Sequence, residues 1–453
     1  MNVSVHRRPR WIAAAVIAAV AAVLAIAASL RGASDPARGR DAADMLGVSP
    51  FALLAASVDD DFPQPPPRWA FEFPADHRAH DAYRTEWWYL SGTLNDASGA
   101  DVPMLGVQWL LMRIALRSEA GASGQTGAER ATIGIGAEAE TESAELEPVE
   151  GESAELEPVE GESTELNAAE LESAAPASAW STSQIYAGLF SISAPTGTGL
   201  RTDGKLSRGA LGLAGATAPP VRVWIENWQL VELEPDAGRT ADAPGFALHL
   251  GTDGLELDLE LRDMKRPITA SDVAGGSGAR AAPFQFYVQP RLRARGTLVA
   301  DGRRFDVDGV FALEHAWGEL PLPGGPVGND RFSLHLDDGS ELILVRTHRR
   351  RAGDERTATT TALLIDPQGS AVPLADDDVT LEPMDYWTSP RTGTRYPLRW
   401  SLRVPGRDIE TTLTPIEADH EGETWLQFWA GPVRIDGTAA GSGFVQLNGY
   451  AEP

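Results

Sequence analysis

The residues best equipped for chemistry crowd into two aromatic-rich segments. In "FPADHRAHDAYRTEWWYLSGTL", Asp76, His77, His80, Arg84, Glu86, Trp87, Trp88 and Tyr89 fall within 14 positions. Side chains alternate along a strand, so Glu86 and Trp88 share one face and Trp87 and Tyr89 the other. A carboxylate beside tryptophan on an inward face is either buried and paired, with Arg84 as the adjacent cation, or poised for acid–base work. Glu86, Trp87, Trp88 and Tyr89 are therefore candidate ligand-binding residues. His77 and His80 have H-x-x-H spacing next to Asp76, which suits a metal ion or a hydrogen-bonded loop. So short a spacing specifies no metal by itself, and a loop is expected.

The second segment, "FALEHAWGEL", offers Glu314, His315 and Trp317 as catalytic candidates. In a strand His315 and Trp317 share a face, so an imidazole that titrates near neutrality sits beside an indole able to cover an apolar or cationic group. Glu314 falls on the opposite face unless a bulge re-aims it. His335 in "RFSLHLDDG" faces away from Phe332, Leu334 and Leu336 and is expected across the same cavity. Tyr386 and Trp387 extend the candidate ligand lining. Thirteen tryptophans can fill two cores or line a tunnel for an apolar ligand.

What must position these residues is β-structure. Leu255, Leu257, Leu259 and Leu261 alternate strictly with Glu256, Asp258, Glu260 and Arg262, the pattern of a strand buried on one face. "VRVWIENWQL", "ELILVRTH" and "SGFVQLNGY" read as further strands, with turn signals at "NDASG", "ADG", "DDGS" and "DPQG". The segments "SGTLNDASG" and "RGTLVADG" echo each other as strand then turn, a hint of duplication. No G-x-S-x-G elbow, H-E-x-x-H helix, phosphate loop or dinucleotide fingerprint occurs. Serine-esterase, zincin, nucleotide-hydrolase and Rossmann chemistry lose their main support.

The length of 453 residues suits two domains, and 43% apolar residues suffice for their cores. The absence of cysteine excludes disulfides, thiol catalysis and a lipoprotein anchor. A net charge of −27 argues against nucleic-acid binding. Much of that charge sits in one block at about 118–179, where 16 glutamates against Arg130 surround the unit "ESAELEPVEG" and its repeat. Its apolar content is too low to bury, so a disordered insert is expected. At the start, Arg7, Arg8 and Arg10 precede the apolar run Trp11–Leu30, which predicts export through a cleaved signal or a retained membrane anchor. The expected organisation is a leader at 1–31, a Pro-rich tether at 32–67, a first β domain at 68–283 carrying the insert, and a second at 284–453.

In order along the chain, "FPADHRAHDAYRTEWWYLSGTL", "GVQWLLMR", "RVWIENW", "FYVQPRLRARGTL", "LEHAWG", "RFSLHLDDGSELIL", "YWTSPRTGTRYPLRW" and "GFVQLNGY" resemble the AttH, or carotenoid 1,2-hydratase-like, family. The resemblance covers nearly all of residues 68–453 apart from the acidic block. It implies an all-β protein of two consecutive lipocalin-like antiparallel domains behind an N-terminal hydrophobic helix. It also implies an exported bacterial envelope protein that binds an elongated apolar ligand, a lipid or isoprenoid, and needs no cofactor. Some members add water across an isoprenoid double bond, and others are linked with ABC transporters, so the alternative is a non-catalytic lipid carrier. The hydratases' His-x-Trp motif matches His315 and Trp317. Where their Tyr/Asp pair is expected, this chain has Val345, Arg346 and Thr347. Gly188 in "YAGLF" stands where many relatives carry histidine.

Overall fold

The computed structural model describes residues 62–98, 103–116, 184–195, 199–233, 245–273, 284–318, 327–350, 356–424 and 427–450. The leader at 1–31, the tether up to residue 61 and the acidic block lie outside the described residues. Among the described residues no helix is long and apolar enough to cross a membrane.

The chain folds into two antiparallel sheets. The first contains β1 (Thr85–Asp96), β2 (Leu105–Ala115), β3 (Gln184–Ser193), β4 (Leu200–Arg208), β5 (Ala214–Thr217) and β6 (Arg222–Ile225). It continues with β7 (Trp228–Glu232), β8 (Gly245–Thr252), β9 (Leu255–Asp263), β10 (Ile268–Thr269), β11 (Phe284–Ala300) and β12 (Arg303–Gly318). The second contains β13 (Val327–Leu336), β14 (Glu341–Arg350), β15 (Arg356–Ile365), β16 (Ala371–Leu374) and β17 (Thr380–Thr388). It is completed by β18 (Arg395–Val404), β19 (Ile409–Pro415), β20 (Glu421–Glu423), β21 (Gln427–Gly437) and β22 (Gly441–Asn448). The first sheet is nearly closed into a barrel and the second forms a half-barrel.

Strand order repeats. The first sheet runs β4-β3-β2-β1-β12-β11-β9-β8-β7 before its last two strands, and the second runs β16-β15-β14-β13-β22-β21-β19-β18-β17. In each, the last strand returns beside the first, so β1 corresponds to β13, β2 to β14 and β12 to β22. The sheets divide after Gly318, not at residue 284. Strand β11 pairs with both β9 and β12, and β12 pairs with β1, which commits 284–318 to the first sheet. The short sequence echo does not mark this repeat. It aligns β1 with β11, which occupy different places in the strand order.

The alternating leucines form β9 as expected, each buried between exposed acids. Strands β1 and β2 instead bury both faces. Trp88, Leu90, Trp109 and Leu111 point into the core of the first sheet, with Phe246, Leu292 and Phe311. Trp87, Tyr89, Leu110 and Met112 pack outward against Phe428, Ala430 and Phe444 of the second sheet. The approach is close: a Cβ on Gly106 would lie 2.7 Å from Pro432. Burying one such aromatic side chain stabilises by roughly 1.5–3 kcal/mol, so this seam holds the two sheets as one body.

Candidate active site

Residues 62–84 form a strap over the end of the first sheet where β1 begins and β12 ends. Gln285 on β11 donates to the Pro66 carbonyl at 2.7 Å, and Trp69 and Phe71 meet the edge of Trp317 at 5.3 and 5.8 Å between ring centroids. Phe73 sits edge-on to Tyr287 at 5.0 Å. A 3₁₀ turn at Ala75–His77 is fixed by Asp76, whose carboxylate accepts the Glu72 amide at 2.6 Å. That turn delivers Asp76, His77 and His80 onto the sheet.

The strand register does the rest. Glu86 lies opposite Trp317 on one side and Arg113 on the other, and Trp88 lies opposite His315. Cross-strand partners point to the same face, so period two and this pairing place Glu86, Trp88, Arg113, His315 and Trp317 together. Tyr287 joins them opposite His315. The sequence expectation that Glu86 and Trp88 share a face, and His315 and Trp317 likewise, is met.

Glu86 is the hub. Its carboxylate is fully buried and accepts from Arg113 Nε at 3.0 Å, the His80 amide at 2.9 Å, His80 Nδ1 at 2.7 Å and His315 Nε2 at 2.8 Å. His80 Nε2 reaches Asp76 at 3.1 Å, and Trp69 Nε1 donates to the same Asp76 oxygen at 3.2 Å. Each imidazole carries an indole on its face. His80 stacks on Trp317 with centroids 3.7 Å apart and planes 5° from parallel, and His315 stacks on Trp88 at 4.6 Å and 20°.

The two imidazoles are tuned in opposite directions. Burial depresses both, but hydrogen bonds to Asp76 and Glu86 overcome it at His80, whose pKa rises above the usual histidine value. At His315 burial outweighs the Glu86 contact and the pKa falls. Burial works to raise Glu86, yet the Arg113 charge and the hydrogen bonds from His315 and His80 hold its carboxyl well below the usual range. The resting charges are then Glu86 and Asp76 against Arg113 and protonated His80. Beyond its bond to Glu86, His315 keeps Nδ1 buried with no hydrogen-bond partner among the described residues. His77 goes elsewhere: Nδ1 meets the Tyr287 hydroxyl at 2.6 Å, and burial, then the nearby His315, lowers its pKa to about 3.

Several expectations are corrected. The cation on Glu86 is Arg113, not Arg84. Arg113 is the one charge in an apolar strand, and only pairing across β1 and β2 reveals its purpose. Asp76, His77 and His80 do not converge as a metal triad. One ligand atom from each of His80, Glu86 and His315 does lie within 4.8 Å of the others, a donor set that zinc accepts. Those donors are already bonded to one another, and Arg113 with the His80 proton balances both carboxylates. A divalent ion would displace protons and add charge, so the donor set fits hydrogen bonding better.

Glu314 faces away. The β1–β12 register is unbroken there, no bulge turns it round, and its partner is Arg331 on β13, which also covers the ring of Tyr89 at 5.0 Å. Trp87 and Tyr89 face the same seam between sheets. His335 is not across a shared cavity. It lies on β13, where burial, then Arg291 and Lys265, lowers its pKa to about 3. Tyr386 and Trp387 sit on β17 at the edge of the second sheet, Tyr386 under Arg395 at 4.0 Å and Trp387 against Tyr396. A Cβ at Gly188 would lie 3.0 Å from Ile225 and Trp228, so a larger residue fits there only if those side chains give way.

Comparison with known proteins places this arrangement. The pattern of the AttH-like family matches residues 64–145 and 163–450. A solved structure described as an AttH from Nitrosomonas europaea superposes with a TM-score of 0.61 at 23% identity, covering 86% of this chain and all of that one. Kievitone hydratase from Nectria haematococca gives 0.47 at 11% identity, over 87% of this chain and 96% of its own. CghA with Sch210972 gives 0.41 at 11%, over 82% and 89%. No curated protein matches the sequence.

Proposed function

The chain belongs to the AttH-like family, and from that premise we propose that it is an exported, cofactor-independent enzyme that hydrates or isomerises a carbon–carbon double bond of an elongated apolar ligand. The observation that carries this reading is the hydrogen-bonded chain Asp76–His80–Glu86–His315, which starts at the strap and ends at a buried imidazole nitrogen with no hydrogen-bond partner among the described residues. Opposed pKa shifts on two groups sharing one bridge are the mark of an acid–base pair.

At rest His80 holds its proton, and neutral His315 keeps its Nε2–H on Glu86 with Nδ1 unprotonated. Nδ1 takes up a proton from solvent, and the Glu86 carboxylate stabilises the imidazolium so formed. Its Nδ1–H then protonates an alkene carbon, leaving a carbocation on the neighbouring carbon. The indole faces of Trp88 and Trp317 favour that cation by cation–π attraction. Water adds to the cation and returns its extra proton to Nδ1, which closes hydration. Loss of an allylic proton to Nδ1 instead gives the isomer. The apolar interior supports a greasy substrate, and the basic residues ahead of Trp11–Leu30 support export to the outer side of the cytoplasmic membrane.

The test is incubation of the purified chain with squalene in deuterated water, followed by mass spectrometry. The expected result is deuterium on carbon, with His315→Gln slower by roughly 10²–10⁴-fold, the usual worth of a positioned acid or base. Squalene bound but returned unlabelled would replace the enzyme with a lipid carrier serving an envelope transporter.

A further inference from the structure

The register that makes the Glu86 site recurs in the second sheet. Asp330 on β13 lies opposite Arg346 on β14, as Glu86 on β1 lies opposite Arg113 on β2. The Asp330 side chain is fully buried, and its Oδ2 accepts from Arg346 at 2.8 Å and from the Tyr450 hydroxyl at 2.9 Å. Among the described residues its Oδ1 makes no hydrogen bond, although a carboxylate oxygen has two lone pairs to offer. His348 Nε2 pairs with that oxygen at 3.4 Å, a contact too loose to count as a hydrogen bond, and makes no other among the described residues. Both side chains are nearly inaccessible to solvent, and buried polar atoms without full hydrogen bonding are costly.

An aromatic row leads to this pair. His348 contacts the Tyr450 ring at 4.7 Å, Tyr450 contacts Tyr396 at 5.6 Å, and Tyr396 stacks on Trp387 at 6.3 Å. Trp387 is only partly buried and belongs to β17, the edge strand of the half-barrel. The row therefore runs from an edge strand of the sheet to this loosely paired carboxylate and imidazole.

We propose that Asp330 and His348 form a second binding site, separate from the Glu86 site, that recognises the hydroxyl group of a neutral ligand whose flat apolar body lies along Tyr450, Tyr396 and Trp387. The chemistry selects the ligand. Arg346 already balances Asp330, so a cationic ligand would leave excess positive charge and an anion would meet the carboxylate. A hydroxyl matches both vacant partners, since it donates to Asp330 Oδ1 and accepts from His348 Nε2–H. An apolar body beside it gains offset or edge-on ring contacts with the aromatic row.

Isothermal titration calorimetry of the full chain with 2-naphthol and its methyl ether tests this. The ether keeps the rings and the acceptor but cannot donate. Naphthol should bind at least tenfold more tightly, because a site built for a hydroxyl rejects the analogue that leaves its carboxylate unpaired. His348→Leu, with folding checked by thermal melting, should erase most of that preference. Should His348→Leu fail to fold, Trp387→Ala should weaken both ligands by about tenfold through lost stacking. Equal affinity for naphthol and ether, no binding of either, or an unchanged naphthol preference in a folded His348→Leu would overturn the proposal. None of these results depends on whether the Glu86 site is catalytic.

Discussion

Glu86 and Asp330 hold the same place in two sheets of the same strand order, each opposite an arginine, yet their surroundings differ in kind. Around Glu86 both carboxylate oxygens are engaged, by an amide, two imidazoles and a guanidinium, under a strap packed with tryptophan and phenylalanine. Around Asp330 one oxygen accepts two hydrogen bonds, while the other meets only His348 at 3.4 Å among the described residues. A repeated backbone thus supplies the same carboxylate–arginine pair twice. What differs is the chain laid over the end of the sheet: one copy becomes a closed hydrogen-bonded network, the other keeps hydrogen-bonding capacity in reserve.

The sharpest way to break this contrast is to delete each carboxylate. Glu86→Ala strands a fully buried guanidinium and two imidazoles, and should cost about 3–5 kcal/mol. Asp330→Ala strands a slightly exposed Arg346 and a tyrosine, and should cost about 1–3 kcal/mol. Urea unfolding midpoints measure both, and equal losses would erase the distinction.

Acid titration separates the sheets next. His77 in the strap and His335 on β13 each hold a pKa of about 3 when folded, against 6.5 for the unperturbed side chain. The unfolded chain then binds more protons, so both contributions are complete above pH 6.5 and are lost as pH falls toward 3. Each should give a slope of about 1.4 kcal/mol per pH unit in that window. His80 has the opposite sign, since its pKa is raised: its contribution is present in acid and lost as pH rises through the folded value. His335→Leu should remove one share of the acid slope, measured by unfolding between pH 4 and 6 (a window bounded by about those values). An unchanged slope would mean that His335 is not held neutral.

The smallest effect is expected at Glu314→Gln. Burial raises the pKa of this residue against the pull of Arg331, so removing its charge should cost about 1 kcal/mol or less, and turnover should not change. A hundredfold fall in turnover would return Glu314 to the active site.

Much of this was legible along the chain. Strict alternation gave β9, and the same two-residue period correctly paired Glu86 with Trp88 and His315 with Trp317 on common faces. Period two says nothing about which strands are neighbours, however. The bond between Glu86 and His315 joins residues 229 positions apart, and Arg113 acquires its meaning only through the β1–β2 register. His335 was misplaced for the same reason: its face was read correctly, but the sheet it belongs to was not. Trp87 and Tyr89 looked like ligand residues because an aromatic on a strand cannot announce whether a cavity or a second sheet awaits it.

Arg113 has a consequence beyond charge balance. While its Nε holds Glu86, its terminal nitrogen donates to the backbone carbonyls of His80 at 2.9 Å and Tyr83 at 3.0 Å. The same guanidinium therefore latches the strap and suppresses the basicity of the carboxylate. Lifting the strap far enough to admit a molecule would also withdraw the His80 amide and imidazole from Glu86, and a carboxylate deprived of donors binds protons more readily. Lifting of the strap and protonation of the hub would thereby be thermodynamically linked, each favouring the other by the same factor.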